Sequence, residues 1–303
     1  MNQLITAVIL TYNEEIHLER CINSLKRINA RIIIVDSYST DSTLDIGKKH
    51  NATIYQNKWI NYGTQYNWAL NNCEIVTEWT LRIDADEILD DKLVDDINSK
   101  LPYLNDKING VYFLRGLGFL GKSINNGGMQ GVYHLKLWRT GHGYCEPTWM
   151  DEHIKLHDGD TVRFKGKLID DNLSNIHSFV DKHNGYATRE AINYFNLLYS
   201  FNKKYEIEAG LTGSQDVRIK YFKNVYYKLP MFLRAFIYFG YRYIFQLGFL
   251  DGTKGFIYHF LQGLWYRLLV DFKVYEVRLY TKNDPVKIVR FFKENYNYDI
   301  EKY

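Results

Sequence analysis

Apolar and polar residues along the first hundred positions alternate between two periods. "LITAVILTYN" (4–13) is a continuous apolar run that ends in turn residues. "EEIHLERCINSLKRI" (14–28) places Ile16, Leu18, Cys21, Ile22 and Leu25 on one helical face. "RIIIVDSYS" (31–39) is a β-branched run of the kind buried on both faces of a parallel sheet. "STDSTLDIGKKH" (39–50) opens with N-cap residues and closes with lysines, which suits a helix dipole. "ATIYQNKW" (52–59) predicts a strand and "GTQYNWALNNC" (63–73) a helix. "EWTLRIDADEILDD" (78–91) predicts a strand running into carboxylates, followed by the helix "DDKLVDDINSKL" (90–101).

The order β-α-β-α-β-α-β predicts an α/β fold, a mostly parallel twisted sheet flanked by helices, with ligands at the carboxyl ends of the strands. Those ends carry Thr11–Glu14, Asp36–Ser39 and Asp84–Asp86. The middle of the chain changes to antiparallel patterning. "NGVYFLRGLGFLG" (109–121) and "YHLKLWRTG" (133–141) read as strands around a glycine-rich loop, "NNGGMQG" (125–131). "TVRFKGKLIDD" (161–171) alternates like an exposed strand.

From about 178 the chain reads as helical, and 226–272 is strongly apolar and aromatic. Arg234, Arg242, Asp251, Lys254 and Arg267 interrupt it, so no uncharged stretch reaches the roughly 20 residues a bilayer crossing needs. Charge sharpens the division. Residues 216–303 hold 15 Lys and Arg against 8 Asp and Glu, a surplus of +7, which leaves −4 for 1–215 out of a total of +3. The expected organisation is therefore a catalytic domain over 1–215 and a basic, aromatic helical region over 216–303. The latter is suited to an anionic membrane surface, with a packed helical subdomain as the alternative. No groove-reading motif accompanies the basic residues, which argues against nucleic acid. Cys21, Cys73 and Cys145 show no metal-ligand or disulfide spacing, as expected in a reducing compartment. The N-terminus has no basic stretch ahead of "LITAVIL", so it reads as a core strand, not a signal peptide.

Asp84 and Asp86, at i and i+2 after a core strand, present hard oxygen ligands suited to Mg²⁺ or Mn²⁺ and, through the ion, to a diphosphate. The tripeptide alone equally suits solvated loop charge or a phosphatase nucleophile. Its context narrows the choice. "TYNEE" after the first strand, "VDSYSTDST" after the second and "DAD" after the fourth together resemble the family 2 glycosyltransferases of the GT-A fold. "NGGMQGVYHLKLWRTG", "DEHI" and "LGFLDGTKG" are similar to the branch that includes the bacterial lipopolysaccharide core β-1,4-glucosyltransferases. The sequence departs from that branch at His134, Lys136 and Asp151, on what the resemblance makes the acceptor side.

This resemblance implies an inverting hexosyltransferase that takes a UDP-sugar, glucose favoured, with Mn²⁺ or Mg²⁺. The acceptor would be a lipopolysaccharide core or other lipid-linked glycan, and the location cytoplasmic, on the inner face of the membrane. Thr11, Tyr12 and Glu14 would line the base pocket, with Tyr12 stacking on uracil. Asp36 would bind base or ribose, although a capping role explains it too. Gln65, with Gly63 and Asn67, lies where the donor-binding helix begins. Asp86 would hold the metal, with Asp84 on metal or ribose. Glu87 would support that shell or start the next helix. Glu152, or Asp151 second, would be the general base. His153 would orient the base or touch the diphosphate, and His177 would also reach the site. Trp149, Gly127 and Gly128 would meet the acceptor or donor sugar. The competing readings are a Mg-dependent phosphatase and a non-catalytic nucleotide- or membrane-binding module.

Overall fold

The computed structural model describes residues 3–128, 131–146, 153–201 and 215–300. The N-terminal elements are β1 (Ile5–Thr11), α1 (Leu18–Lys26), β2 (Arg31–Asp36), α2 (Thr43–Lys49), β3 (Thr53–Gln56), α3 (Tyr62–Asn72), β4 (Trp79–Asp84), β5 (Glu87–Leu89) and α4 (Asp91–Lys100). Then come β6 (Ile108–Phe119), β7 (Lys122–Ser123), β8 (Tyr133–Arg139), β9 (Gly143–Cys145), β10 (Ile154–Leu156) and β11 (Asp160–Asn172). Helices follow: α5 (Ile176–Tyr199), α6 (Gln215–Lys228), α7 (Leu233–Gly240), α8 (Gly252–His259), α9 (Tyr266–Thr281) and α10 (Pro285–Tyr296). Contacts divide the chain into two compact units, 1–125 with 129–174, and 126–128 with 175–303.

The first unit is built on a sheet of order β3-β2-β1-β4-β8-β6-β11-β5, with β7 beside β6. Its first half is parallel. β8 enters antiparallel to β4 and β6, and β11 returns parallel to β6. The mostly parallel sheet predicted from the hydrophobic runs is present. Alternation along β1 and β2 explains why these runs are buried throughout. Ile5, Ala7, Ile9, Ile32 and Ile34 join Leu18, Cys21, Ile22 and Leu25 of α1 and Leu93, Val94 and Ile97 of α4. Val8, Leu10, Ile33 and Val35 pack with Tyr66 and Ala69 of α3 and Trp138 of β8. The free thiols of Cys21, Cys73 and Cys145 are all buried in this unit.

Three details differ from the sequence pattern. Helix α1 begins at Leu18, not at Glu14. Asn13 takes a left-handed φ of 55°, and the backbone N–H of Glu14 is spent on the Thr43 hydroxyl at 2.7 Å. Glu87 does not start a helix. It lies in β5, and Asp90 is the cap, accepting from the Leu93 N–H at 2.7 Å. The segment expected to be an exposed strand is β11, held between β6 and β5, with Phe164 and Leu168 in the core.

The second unit packs α5, α9 and α10 around Ala187, Ile192, Phe195, Val270, Val274, Val277, Ile288 and Phe292. Helices α7 and α8 each run on into π-helical turns, Tyr241–Phe245 and Phe260–Trp265. A buried ion pair ties α7 to α9: Arg234 Nε donates to Asp271 at 2.9 and 3.1 Å, and the Phe232 N–H donates to the same carboxylate at 2.7 Å. In this unit three of the charges that interrupt the apolar sequence turn inward, while Lys254 stays exposed. Arg234, Arg242, Asp251 and His259 are buried, while Leu233, Phe236, Ile237, Tyr241, Ile244 and Phe245 are exposed. Among the described residues no helix is long and apolar enough to cross a membrane.

Candidate active site

Register brings the three polar strand ends into one row. Thr11 pairs with Asp36 across β1 and β2, and Leu10 pairs with Asp84 across β1 and β4. The loops beyond β1 and β2 are sewn together. Asn13 N–H donates to Ser39 Oγ at 2.8 Å, Thr40 N–H to Asn13 Oδ1 at 2.8 Å, and Ser42 N–H to Glu15 Oε2 at 3.1 Å. Tyr12 is left outward, 59 % exposed at the end of β1.

Asp36 is wholly buried, and its carboxylate already receives the Thr11 hydroxyl at 2.9 Å, the Ser39 N–H at 2.9 Å and the Gln56 amide at 3.2 Å. It therefore fixes the loop geometry whatever else it binds. Glu14 Oε2 meets His17 Nδ1 at 2.7 Å, and His17 Nε2 accepts the Leu173 N–H at 3.0 Å. Gln65 is buried on α3, accepting from Asn57 Nδ2 at 2.8 Å and donating to Ser37 Oγ at 3.2 Å and the Asn57 carbonyl at 3.0 Å. Asn67 clasps β9: its Nδ2 donates to the Cys145 carbonyl at 2.7 Å, and its Oδ1 accepts the Cys145 N–H at 2.9 Å.

The carboxylates after β4 are compensated by a cation from the neighbouring strand. Lys136 of β8 places Nζ 2.8 Å from both oxygens of Glu87 and 3.5 Å from Asp84 Oδ2. Glu87 Oε2 also accepts the Asp84 N–H at 2.9 Å, which closes the turn between β4 and β5. The Tyr62 hydroxyl donates to Asp84 Oδ1, Arg82 Nε donates to the Tyr62 oxygen at 3.1 Å, and the Arg82 guanidinium lies 4.2 Å from the centre of the Tyr62 ring. Burial pushes the Asp84 carboxyl up, but Lys136 and Arg82 outweigh it and hold it down to about 2. Burial dominates at Glu87, Lys136 opposes it and Asp84 adds to it, so that carboxyl is pushed up to about 7. Two acids sharing one ammonium thus part in acidity, and the more enclosed one takes the proton first. His134, on the same face of β8 as Lys136, is pushed down to about 3 by burial and by Lys136, and its ring stacks 6.3 Å from that of His153.

Asp86 is half-buried in the turn. Its Oδ2 accepts from Asn172 Nδ2 at 3.1 Å, and its carbonyl accepts the Asp171 N–H at 3.0 Å and Arg20 at 3.3 Å. Among the described residues no three His, Cys, Asp or Glu side chains converge on one point. The donors do fit a hard cation that needs only one or two protein carboxylates and brings water and phosphate oxygens for the rest. Asp86 would be its main ligand, since Asp84 is shared with Lys136 and Tyr62.

Residues 6–102, which contain all three strand ends, match the model of glycosyl transferase family 2. That segment is similar to family 2 glycosyltransferases. An uncharacterised glycosyltransferase of Rickettsia conorii is 41 % identical over 97 residues, 32 % of this chain and 34 % of that protein. The chain thus matches about a third of the length of the Rickettsia relatives. The lipopolysaccharide core biosynthesis glycosyltransferase LpsC of Rhizobium meliloti is 26 % identical over 275 residues, 85 % of this chain and 89 % of LpsC. Among solved structures, S. aureus TarS is similar over 62 % of this chain and 40 % of its own, at 16 % identity and a TM-score of 0.39. Glucosyl-3-phosphoglycerate synthase of Mycobacterium tuberculosis, solved with Mn²⁺ and UDP, is similar over 36 % of this chain and 43 % of its own, at 19 % identity and a TM-score of 0.30.

The cation that sequence reasoning did not pair with the strand-end acids is Lys136. It faces Asp84 and Glu87 inside the site. The signal was a lone ammonium within the apolar strand "LKLW". Tyr62 and Arg82 were missed because each reads locally as packing. Trp149, Asp151 and Glu152 lie outside the described residues. His177 sits in the first turn of α5, in the second unit, 84 % exposed and paired with Asp181 at 3.3 Å. Gly127 and Gly128 belong by their contacts to the second unit.

Proposed function

We propose that the chain is a metal-assisted, inverting glycosyltransferase that moves a sugar from a UDP-sugar, glucose favoured, to a hydroxyl of a lipopolysaccharide core or another lipid-linked cell-surface glycan. The observation that carries this reading is the row of strand ends that brings Thr11, Asp36 and Asp84 into register within the family-matched segment. The similarity to LpsC along most of the chain favours a glycan acceptor of that class. Tyr12, exposed beside the buried Thr11–Asp36 bond, offers a stacking face for the base, and Glu14 and Gln65 would also meet the nucleotide sugar. Asp86, with Asp84, would hold Mn²⁺ or Mg²⁺, which when bound neutralises charge on the departing diphosphate. Glu152, or Asp151 in its place, would take the acceptor proton. Direct in-line attack then inverts the anomeric centre. A phosphatase with Asp84 as nucleophile has less support, because that carboxylate is held by Tyr62 and Lys136.

The test is a panel of nucleotide sugars with and without Mn²⁺ or Mg²⁺, read by thermal shift and by UDP release. The expected result is metal-dependent stabilisation and turnover with one UDP-sugar. No response to any donor, or metal-independent hydrolysis of simple phosphate esters, would overturn it.

The apolar helices add a partner, the inner membrane face. From Leu229 to Phe260 the exposed charge is Lys254, while Leu233, Phe236, Ile237, Ile244, Phe245 and Leu250 face outward. An outward apolar face with paired charges inside, flanked by basic residues, suits the headgroup boundary of an anionic bilayer. Full-length protein is expected to float with anionic vesicles, and the double variant Ile237→Glu, Phe245→Glu to lose most of that binding while keeping its melting temperature. Equal flotation of both would return these helices to a purely structural role.

A further inference from the structure

Asp84, Asp86 and Glu87 crowd the turn after β4, and Glu87 is the most enclosed of them. Its Oε2 accepts the Asp84 N–H at 2.9 Å, so the side chain spans the turn from its last residue to its first. Both Glu87 oxygens lie 2.8 Å from Lys136 Nζ, and that ammonium is itself buried, 3.5 Å from Asp84 Oδ2. Backbone ties hold the other side. The Asp171 N–H donates to the Asp86 carbonyl at 3.0 Å, and Glu87 pairs with Asp170 across β5 and β11. Asp86 stands inside this closed turn, next to Glu87.

A side chain that holds an ion works when it is fixed to within about 0.5 Å of its bonding position. The Glu87 carboxylate sets the span back to Asp84, and Lys136 sets that carboxylate. With the ammonium gone, a buried acid is left uncompensated, and its bond to the Asp84 N–H is no longer braced.

We propose that Lys136 and Glu87 are positioning residues for the divalent cation. Lys136 orients Glu87, Glu87 closes the turn, and the closed turn presents Asp86 to the ion. The proposal rests on the assignment of that ion to Asp86.

Charge and positioning predict opposite signs. An ammonium near a cation repels it, so a lysine acting by charge alone would, once removed, let Mn²⁺ bind more tightly. A lysine that braces the turn would, once removed, let it bind more weakly. The test is a Mn²⁺ titration of the full chain in the presence of UDP, read by the electron paramagnetic resonance of free Mn²⁺, with melting temperature alongside. Lys136→Met and Glu87→Ala are each expected to weaken Mn²⁺ binding by about ten- to hundredfold. The double variant Lys136→Met, Glu87→Gln replaces the buried pair with neutral groups of similar size, which a fold tolerates well, and its amide oxygen still accepts the Asp84 N–H. It is expected to bind Mn²⁺ within about threefold of wild type. Unchanged or tighter binding in either folded single variant would overturn the proposal, as would a double variant that does not recover. A wild-type chain that binds no Mn²⁺ with UDP would instead sink the metal assignment, and the positioning role with it.

Discussion

Asp86→Ala is expected to abolish divalent-dependent sugar transfer, leaving activity at the metal-free background. The backbone of the turn that carries it is held by other groups. The Asp86 carbonyl is held by Asp171 and Arg20, and the Glu87 carboxylate closes the turn from the other side. Losing the carboxylate therefore removes the proposed ligand, and with it the bond from Asn172, while those backbone ties remain. Asp84 would not substitute, because Lys136 and Tyr62 already engage it. A loss of about 10²–10³-fold is the scale seen when a single preorganised electrostatic stabiliser is removed, and the cation carries more charge than such a group. The measurement is UDP release against Mn²⁺ concentration for wild type and variant, with melting temperature as the folding control. Substantial metal-dependent turnover in the variant would refute the assignment of the ion to Asp86.

Glu152→Gln is expected to keep UDP-sugar binding and to lower transfer by about 10²–10⁴-fold, the range that general base catalysis contributes. The residue lies in 147–152, which connects β9 to β10. The described ends of that connection are closed: Cys145 pairs with Ile154, and the Glu146 N–H donates to the His153 carbonyl at 2.9 Å. Asn67 clamps Cys145 to α3, the helix that also carries Tyr62 and Gln65. Helix α3 and the β9–β10 hairpin are thereby tied at one point, so the amide variant leaves that tie intact. Single-turnover transfer should fall while the affinity for UDP-sugar stays level. Near-normal transfer in Glu152→Gln, with loss in Asp151→Asn, would move the base to Asp151.

The parallel half of the sheet was legible because its strands are buried on both faces and leave uninterrupted apolar runs. Val8 and Ile9 pack on opposite sides of β1, yet both are apolar. The strand-end acids were legible for a related reason, since Asp36 and Asp84 end such runs abruptly. What the pattern did not show is pairing across distance. Lys136 lies 49 residues from Glu87 in sequence, and only the antiparallel entry of β8 beside β4 brings them together. Glu87 looked like the first charge of a helix because β5 is three residues long, too short to display a period. The inward turn of Arg234, Arg242 and Asp251 was hidden because charge in a helix ordinarily marks the wet face. Here Asp271 and the loop carbonyl of Gly127 take the place of water.

The buried thiols make the chain convenient to label. Burial raises Cys21 and Cys73 above the usual thiol range, the latter to about 11, and Cys145 is enclosed as well. Native cysteines so protonated and covered react slowly with a maleimide. A single cysteine introduced at Phe245, which is 79 % exposed, would therefore take a fluorophore almost alone in the folded protein, and its emission would report whether that turn enters lipid.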